Sequence, residues 1–278
     1  MKIVRTLLLF LIVSATAHAQ SSVDHFELGK TAYDAKKYDV AIAEFTKALE
    51  IDSTEPAAYF NRALAYYFKG NYDAAITDLS KTIQLNPNDA TAFYRRGRCY
   101  VVKVEGEPNF SALKAGIDAA ISDYTRAIQI KPDYADAYSS RGRAYYVKGS
   151  FDEAIADYSK AIQIDPGFAS DYSNRGLVYN EKRNFDAAIA DYTKAIQLEG
   201  DLLDAYQHRG EAYFNKGAYD KAVADYTHVI SAKERPSSSY LKRADAYCKL
   251  GKVSLATADY DHAVQLQPAF AGSPRLCK

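Results

Sequence analysis

The stretches NYDAAITDL, SFDEAIADY, NFDAAIADY and AYDKAVADY recur along this chain in one register, with a period of 34 residues. Seven units fall in that frame: 22–55, 56–89, 90–134, 135–168, 169–202, 203–236 and 237–270, the third longer by 11 residues. This constrains the fold more than any other feature. A piece of that size cannot bury its own apolar face, whereas stacked copies cover one another, so repetition builds one continuous core from small similar parts.

Each unit reads as two helices. In the fourth, Tyr138, Gly142 and Tyr145 recur at i, i+4, i+7, and Phe151, Ala154, Ile155, Tyr158, Ala161 and Ile162 form a second series with helical spacing. Gly70, Gly149, Gly217 and Gly251 mark the turns between helices, and Pro87, Pro132, Pro166 and Pro268 lie just past second helices, where a missing N–H is harmless. Position 20 of the unit is alanine throughout: Ala41, Ala75, Ala120, Ala154, Ala188, Ala222 and Ala256. A small side chain there lets two helices approach closely, so Ala154→Leu is expected to cost about 1–3 kcal/mol by overpacking.

The unit pattern, read in the fourth copy as Tyr138, Gly142, Tyr145, Ala154, Tyr158, Ala161 and Pro166, resembles the tetratricopeptide repeat. The match covers nearly all of residues 22–270. It departs where the family's Trp at position 4 is Tyr or Phe in units two to seven and His25 in the first, where Pro at position 32 is replaced by Ser53, Gly200 and Glu234, and where Leu at position 7 is Arg in units two to seven. The resemblance implies an all-α fold, an α-solenoid superhelix of seven two-helix tetratricopeptide repeats, right-handed, with first helices lining a concave groove. It also implies the family's usual activity, binding peptides or protein segments.

Shared residues specify such a scaffold, so function is sought where the copies differ and face solvent. Most of the 24 tyrosines occupy positions 4, 11, 17 or 24, but Tyr33, Tyr67, Tyr94, Tyr134 and Tyr146 do not. Of these, Tyr33, Tyr67, Tyr94 and Tyr146 fall at positions 5 or 12 of first helices. Positions 2, 5, 9, 12 and 13 share one helix face, which in this family lines the groove. Units one to four present Phe26, Tyr33, Phe60, Leu64, Tyr67, Phe68, Tyr94, Arg98, Arg143 and Tyr146 there; units five to seven present Ser173, Leu177, Asn180, Glu181, Gln207, Glu211, Phe214, Asn215 and Asp245. Tyr and Arg carry much of the energy at interfaces. The expected partner-binding groove is therefore Phe26, Tyr33, Phe60, Tyr67, Phe68, Tyr94, Arg98, Arg143 and Tyr146, with the two arginines meeting a carboxylate or backbone carbonyls. The competing reading packs these rings against neighbouring helices. The carboxylate clamp of some family members is not matched, since Phe26 and Lys30 stand where it uses Lys and Asn, leaving only Asn61.

Arg62, Arg96, Arg141, Arg175, Arg209 and Arg243 at position 7 accompany Asp78, Asp123, Asp157, Asp191, Asp225 and Asp259 at position 23, while the first unit has Leu28 and Glu44. That joint behaviour predicts a ladder of ion pairs, each worth about 0–1 kcal/mol if exposed, rather than a track for a charged ligand. The insertion VEGEPNFSALK, Val104–Lys114, adds three helical turns' worth of chain; a long hairpin reaching about 10–16 Å beyond its neighbours is expected, broken at Gly106 and Pro108 and capped by Asn109 or Ser111. Cys248 and Cys277 form a candidate disulfide that would fold the tail, 271–278, over the last helices, though spacing alone leaves it open; Cys99 reads as a buried apolar residue.

Lys2 and Arg5 followed by Leu7–Val13 and Ala17-His18-Ala19 read as a secretory signal peptide, 1–19, so residues 20–270 are expected as a single solenoid in an exported protein, periplasmic or secreted. The mature chain then carries 33 basic against 35 acidic residues, a net −2, with no basic block for nucleic acid and no transmembrane segment. No histidine shows metal-ligand spacing, and no phosphate loop or nucleophile elbow is present, so neither enzyme activity, metal nor cofactor is expected. The function expected is an adaptor binding a peptide or protein segment. Alternatives are a structural subunit of a cell-envelope complex, using its convex face or the third-repeat hairpin, and glycan or peptidoglycan binding.

Overall fold

The computed structural model describes residues 21–106, 108–232, 237–272 and 277; the signal peptide expected at 1–19 lies outside them. Fourteen α-helices occur among the described residues. They are α1 (21–34), α2 (Tyr38–Ile51), α3 (Pro56–Phe68), α4 (Tyr72–Leu85), α5 (Ala90–Lys103), α6 (Phe110–Ile130), α7 (Ala135–Lys148), α8 (Phe151–Ile164), α9 (Ala169–Glu181), α10 (Phe185–Leu198), α11 (Leu203–Asn215), α12 (Tyr219–Ser231), α13 (Ser237–Lys249) and α14 (Val253–Leu266), followed by a 3₁₀ turn, Pro268–Gly272. No strand occurs among the described residues. The fold is all-α, and its helices fit seven two-helix repeats. The helices group into two compact units, one ending at Lys148 and one beginning at Gly149.

Within each unit, consecutive helices pack as antiparallel neighbours, and one set of side chains repeats the same joint. The residue fifteen places into a repeat is left-handed, which lets the chain reverse: Gly70 (φ 77°), Gly149 (80°), Gly217 (85°) and Gly251 (72°), with Lys36 (57°) and Arg183 (59°) doing the same without being glycine. The position-20 alanines are buried on every second helix. Facing them, a Gly at position 8 receives the position-24 ring. A Cβ placed on Gly176 would meet Tyr192 at 3.0 Å, and one on Gly29 would meet Phe45 at 2.6 Å. The buried rings Tyr124, Tyr158, Tyr192 and Tyr226 are the largest side chains of the core.

The position-7 arginines bind their partners as two-pronged pairs. Arg62 donates from Nε and Nη2 to the carboxylate of Asp78 at 2.8 and 2.9 Å, and from Nη1 to Thr46 Oγ1 of the preceding repeat at 3.0 Å. The same fork joins Arg96 to Asp123 and Ser80 in the first unit, and Arg175, Arg209 and Arg243 to Asp191, Asp225 and Asp259 in the second. Flanking rings clamp the guanidinium: Arg209 lies 5.3 Å from the Tyr206 centroid and 6.0 Å from Tyr213. These pairs are not surface pairs. Asp191 is 9% exposed and Arg175 18% at the side chain. The hydrogen bond to each aspartate is the largest of the influences that raise the pKa of Arg62, Arg96, Arg175, Arg209 and Arg243, and it outweighs their burial. In the first repeat His25 Nδ1 meets Glu44 Oε2 at 2.6 Å instead.

The insertion is resolved differently from the expected long hairpin. Helix α5, with 14 residues, is within one residue of its counterparts, while α6 has 21 residues. The added helix is therefore two turns on the second helix alone, roughly 10 Å at 1.5 Å per residue, and the rest forms the connecting loop. The side chain of Asn109 accepts from the amides of Ser111 and Ala112 and is the N-cap. Val104 sits on Gly116, the last added residue before the ordinary part of α6.

Candidate functional site

The first unit gathers most of the aromatic residues expected to line a groove, through ring-to-ring contacts. Tyr33 at the end of α1 meets Tyr38 edge-on at 5.8 Å and Phe68 at 6.0 Å. Phe68 stacks on Tyr38 with centroids 5.4 Å apart and an interplanar angle of 9°, and meets Tyr67 edge-on at 5.6 Å. Tyr67 touches Tyr72 at 5.5 Å, and its hydroxyl accepts from Arg98 Nη2 at 3.2 Å. The Arg98 guanidinium lies over the rings of Tyr67 at 5.5 Å and Tyr94 at 6.0 Å. The result is a connected aromatic run from α1 to α5, ending on a cation held by two rings.

Exposure divides this set. Phe68 is 54% exposed although three rings hold it in place. Phe26, Tyr33, Phe60, Tyr67, Arg98 and Tyr146 are half-buried. Phe26 leans on Phe45 at 5.7 Å, and Phe60 packs beside Ala63 and Leu79. Burial raises the Tyr33 hydroxyl pKa. Tyr94 departs from the expectation. It is only 8% exposed and sits in the core against Tyr134 at 5.0 Å and Tyr124 at 5.9 Å, so it supports the face rather than forming it. Arg143 is not part of the run; it is exposed and lies 3.7 Å from Glu105 Oε1. Asn61 donates its amide to Ala57 O of its own helix at 2.8 Å, so it is spent on the scaffold. Tyr38 and Tyr72 stand at position 17, a scaffold position, yet they hold Phe68 and Tyr67. Their place at the start of second helices, directly after the turn, is the sequence signal for that.

In the second unit several of the polar residues expected on that helix face are neutralised internally. Lys242 Nζ reaches Glu211 Oε2 at 2.9 Å, Ser239 donates to Gln207 at 3.1 Å, and Phe214 meets Tyr219 at 5.3 Å. Asn180 Oδ1 and Asp245 Oδ1 are buried without hydrogen-bond partners. Burial pushes the Asp245 carboxyl up and the His208 imidazole down. Cys248 on α13 is paired with Cys277, Cα atoms 5.1 Å apart, and Tyr260 donates to Phe270 O at 2.9 Å, so the chain beyond α14 is tied back at both ends. Cys99 is buried, its thiol pushed up to about 12 by burial, and therefore inert. Among the described residues no group of three His, Cys, Asp or Glu is placed to hold a metal ion, and no helix is long and apolar enough to cross a membrane.

Comparison with known proteins fits this geometry. The tetratricopeptide repeat model matches residues 56–89 and 169–202, a second model of that repeat matches 203–236 and 237–270, and a TPR repeat model matches 29–70, 117–149 and 142–183. The chain belongs to the tetratricopeptide repeat family. The crystal structure of MamA is similar at 31% identity, covering 62% of this chain and 95% of its own, with a TM-score of 0.57. The C-terminal part of a TPR repeat-containing protein from Cytophaga hutchinsonii, at 19% identity, covers 87% of this chain and 95% of its own with a TM-score of 0.72. YrrB, described as a TPR protein with an unusual peptide-binding site, is 23% identical over 70% of this chain and 94% of its own, with a TM-score of 0.57. The last two likenesses concern the fold. No curated protein matches the chain. Tetratricopeptide proteins are in general interaction scaffolds rather than enzymes, and a protein or peptide is the class of partner this membership suggests.

Proposed function

We propose that this tetratricopeptide protein is an exported adaptor that holds an extended protein segment against the aromatic face of its first unit. The observation that carries the reading is Phe68. A large apolar ring left more than half exposed, yet stacked on Tyr38 and flanked by Tyr33 and Tyr67, is pre-ordered contact area that burial in the fold does not explain. Arg98, held over Tyr67, adds a cation whose donors can meet backbone carbonyls or a carboxylate. Export is supported by the leader-like start of the sequence and by the Cys248–Cys277 pairing, because disulfides persist in oxidising compartments.

Crosslinking of the intact protein in its own cell envelope, followed by pull-down, tests both parts. Phe68→Ser and Arg98→Glu should each cut capture of the main partner at least tenfold. Equal capture by wild type and both variants would remove the aromatic face as the binding surface. Mass spectrometry of the purified protein should find its N-terminus at Gln20 and no free thiol at Cys248 or Cys277 before reduction. A retained Met1 leader with free thiols would remove the exported location.

A further inference from the structure

The two extra turns of α6, Phe110–Gly116, have no counterpart in the other repeats, and they do more than lengthen a helix. With α5, the loop 104–106 and α7 they line two adjoining open hollows in the first unit, of about 290 and 250 Å³. The hollows share Leu113, Ile117 and Val147 as a common apolar wall. The larger one is also lined by Arg98, Arg143 and Glu105, and the smaller by Lys114, Lys148 and Asp118. Phe110 and Val147, on the smaller hollow, are 76% and 50% exposed. Each hollow has room for one bulky side chain, and each has its own cations beside the apolar wall.

The charges say what kind of side chain neighbours the apolar one. Four cations face two carboxylates. Lys148 is taken up by Asp118 at 2.7 Å, whereas Arg143 and Glu105 stand 3.7 Å apart with both side chains about two-thirds exposed. Such a loose, solvated pair is worth little and is readily exchanged for a better one. The lining therefore keeps two positive charges in excess, one at each hollow.

We infer that these twin hollows are a specificity site for an extended protein segment in which bulky apolar residues stand next to acidic ones. This rests on the reading that the first unit binds a protein segment, and it names which segment. One apolar side chain fills each hollow, a carboxylate of the segment replaces Glu105 at Arg143, and another meets Lys114. Acidic side chains, rather than a chain terminus, are the source, because the cations lie at both hollows and a single terminal carboxylate reaches only one.

The test uses the intact mature protein and a fluorescent twelve-residue peptide, acetylated and amidated, with Phe and Leu alternating with Asp. Fluorescence anisotropy should give a Kd at least tenfold lower for this peptide than for versions with every Asp changed to Asn or every apolar residue changed to Ser. Arg143→Glu and Val147→Glu are exposed changes that leave the melting curve in place, and each should weaken binding at least tenfold. Freeing the C-terminal carboxylate should change Kd less than twofold. Equal binding of the three peptides, or full binding by both variants, overturns the site, and binding only of the free-carboxylate form overturns the acidic side chain as its ligand. Phe68→Ser separates the two readings: partner capture that falls in Phe68→Ser but not in Arg143→Glu or Val147→Glu keeps the aromatic face and discards the hollows.

Discussion

The ring of Tyr226 lies against Gly210 so closely that a Cβ on that glycine would stand 2.8 Å from its Cε1. The same fit joins Gly97 to Tyr124 and Gly176 to Tyr192. In the repeat where position 8 is Ala63, position 24 carries the smaller Leu79, and both are buried. In the last repeat Ala244 stands opposite Tyr260, a ring only half-buried whose hydroxyl is held by Phe270 O. Helix propensity favours alanine over glycine by up to about 1 kcal/mol, but a contact under 3 Å to a buried ring outweighs it. Gly210→Ala should therefore destabilise the second unit by about 1–3 kcal/mol. Adding Tyr226→Leu should cost less than the sum of the two single changes, by about 1 kcal/mol of coupling in urea unfolding. Strict additivity would mean that the two residues do not share the space.

The arginine forks should behave as buried pairs. In Arg175→Ala the carboxylate of Asp191 loses both donors while remaining 9% exposed. The expected loss is about 3–5 kcal/mol, against about 0–1 kcal/mol for an exposed pair. Replacing both partners by apolar residues, Arg175→Met with Asp191→Leu, should recover most of it, because no charge is then left buried. A single-variant loss below 1 kcal/mol in chemical unfolding would return the ladder to the status of surface decoration.

What could be read from the sequence was what repeats. The helix pairs, the alanines at position 20, the turn glycine of most repeats and the Arg–Asp pairing of repeats two to seven appear as columns, so several copies supply the evidence that one copy lacks. What could not be read depends on the neighbours of a single copy. Tyr94 shares a helix face with groove residues, but Tyr134, which closes the same repeat, and Tyr124 cover it. The insertion was visible as 11 residues, yet how many join α6 was settled by Asn109 capping the helix. A second ladder was not read as pairs: Lys69 with Asp39, Lys103 with Asp73 and Lys148 with Asp118 in the first unit, and Lys182 with Asp152, Lys216 with Asp186 and Lys252 with Asp220 in the second. Its charges do form columns, Asp at position 18 of repeats one to six and Lys at position 14 of repeats two to six, but each pair joins one repeat to the next, and the columns alone do not show which lysine meets which aspartate.

Arg183 carries a left-handed backbone, φ 59°, where four other repeats place glycine. An L side chain there costs about 1–2 kcal/mol, partly offset by the greater freedom glycine has in the unfolded chain. Arg183→Gly should stabilise the second unit by about 0.5–1 kcal/mol, and Gly217→Ala should destabilise it by a similar amount or more. Both are read as midpoint shifts in urea, and a loss in Arg183→Gly would show that the arginine side chain supplies more than the turn costs.

Asp245 should make stability depend on pH in the less usual direction. Its carboxyl is held above the ordinary value of 3.8 by burial, with Lys249 opposing, and its Oδ1 has no hydrogen-bond partner. A raised value in the folded state means that the unfolded chain gives up this proton first. The ionised group therefore subtracts from stability at every pH above its folded value, and the penalty fades as pH falls, vanishing below the unfolded value near 4. Asp245→Asn removes the charge with little change of shape. It should raise the melting temperature at pH 7, while wild type and variant should converge as the pH approaches 3. An advantage for Asp245→Asn that persists unchanged at acid pH would trace the effect to packing, and a loss at pH 7 would show that the carboxylate has a stabilising partner in solution.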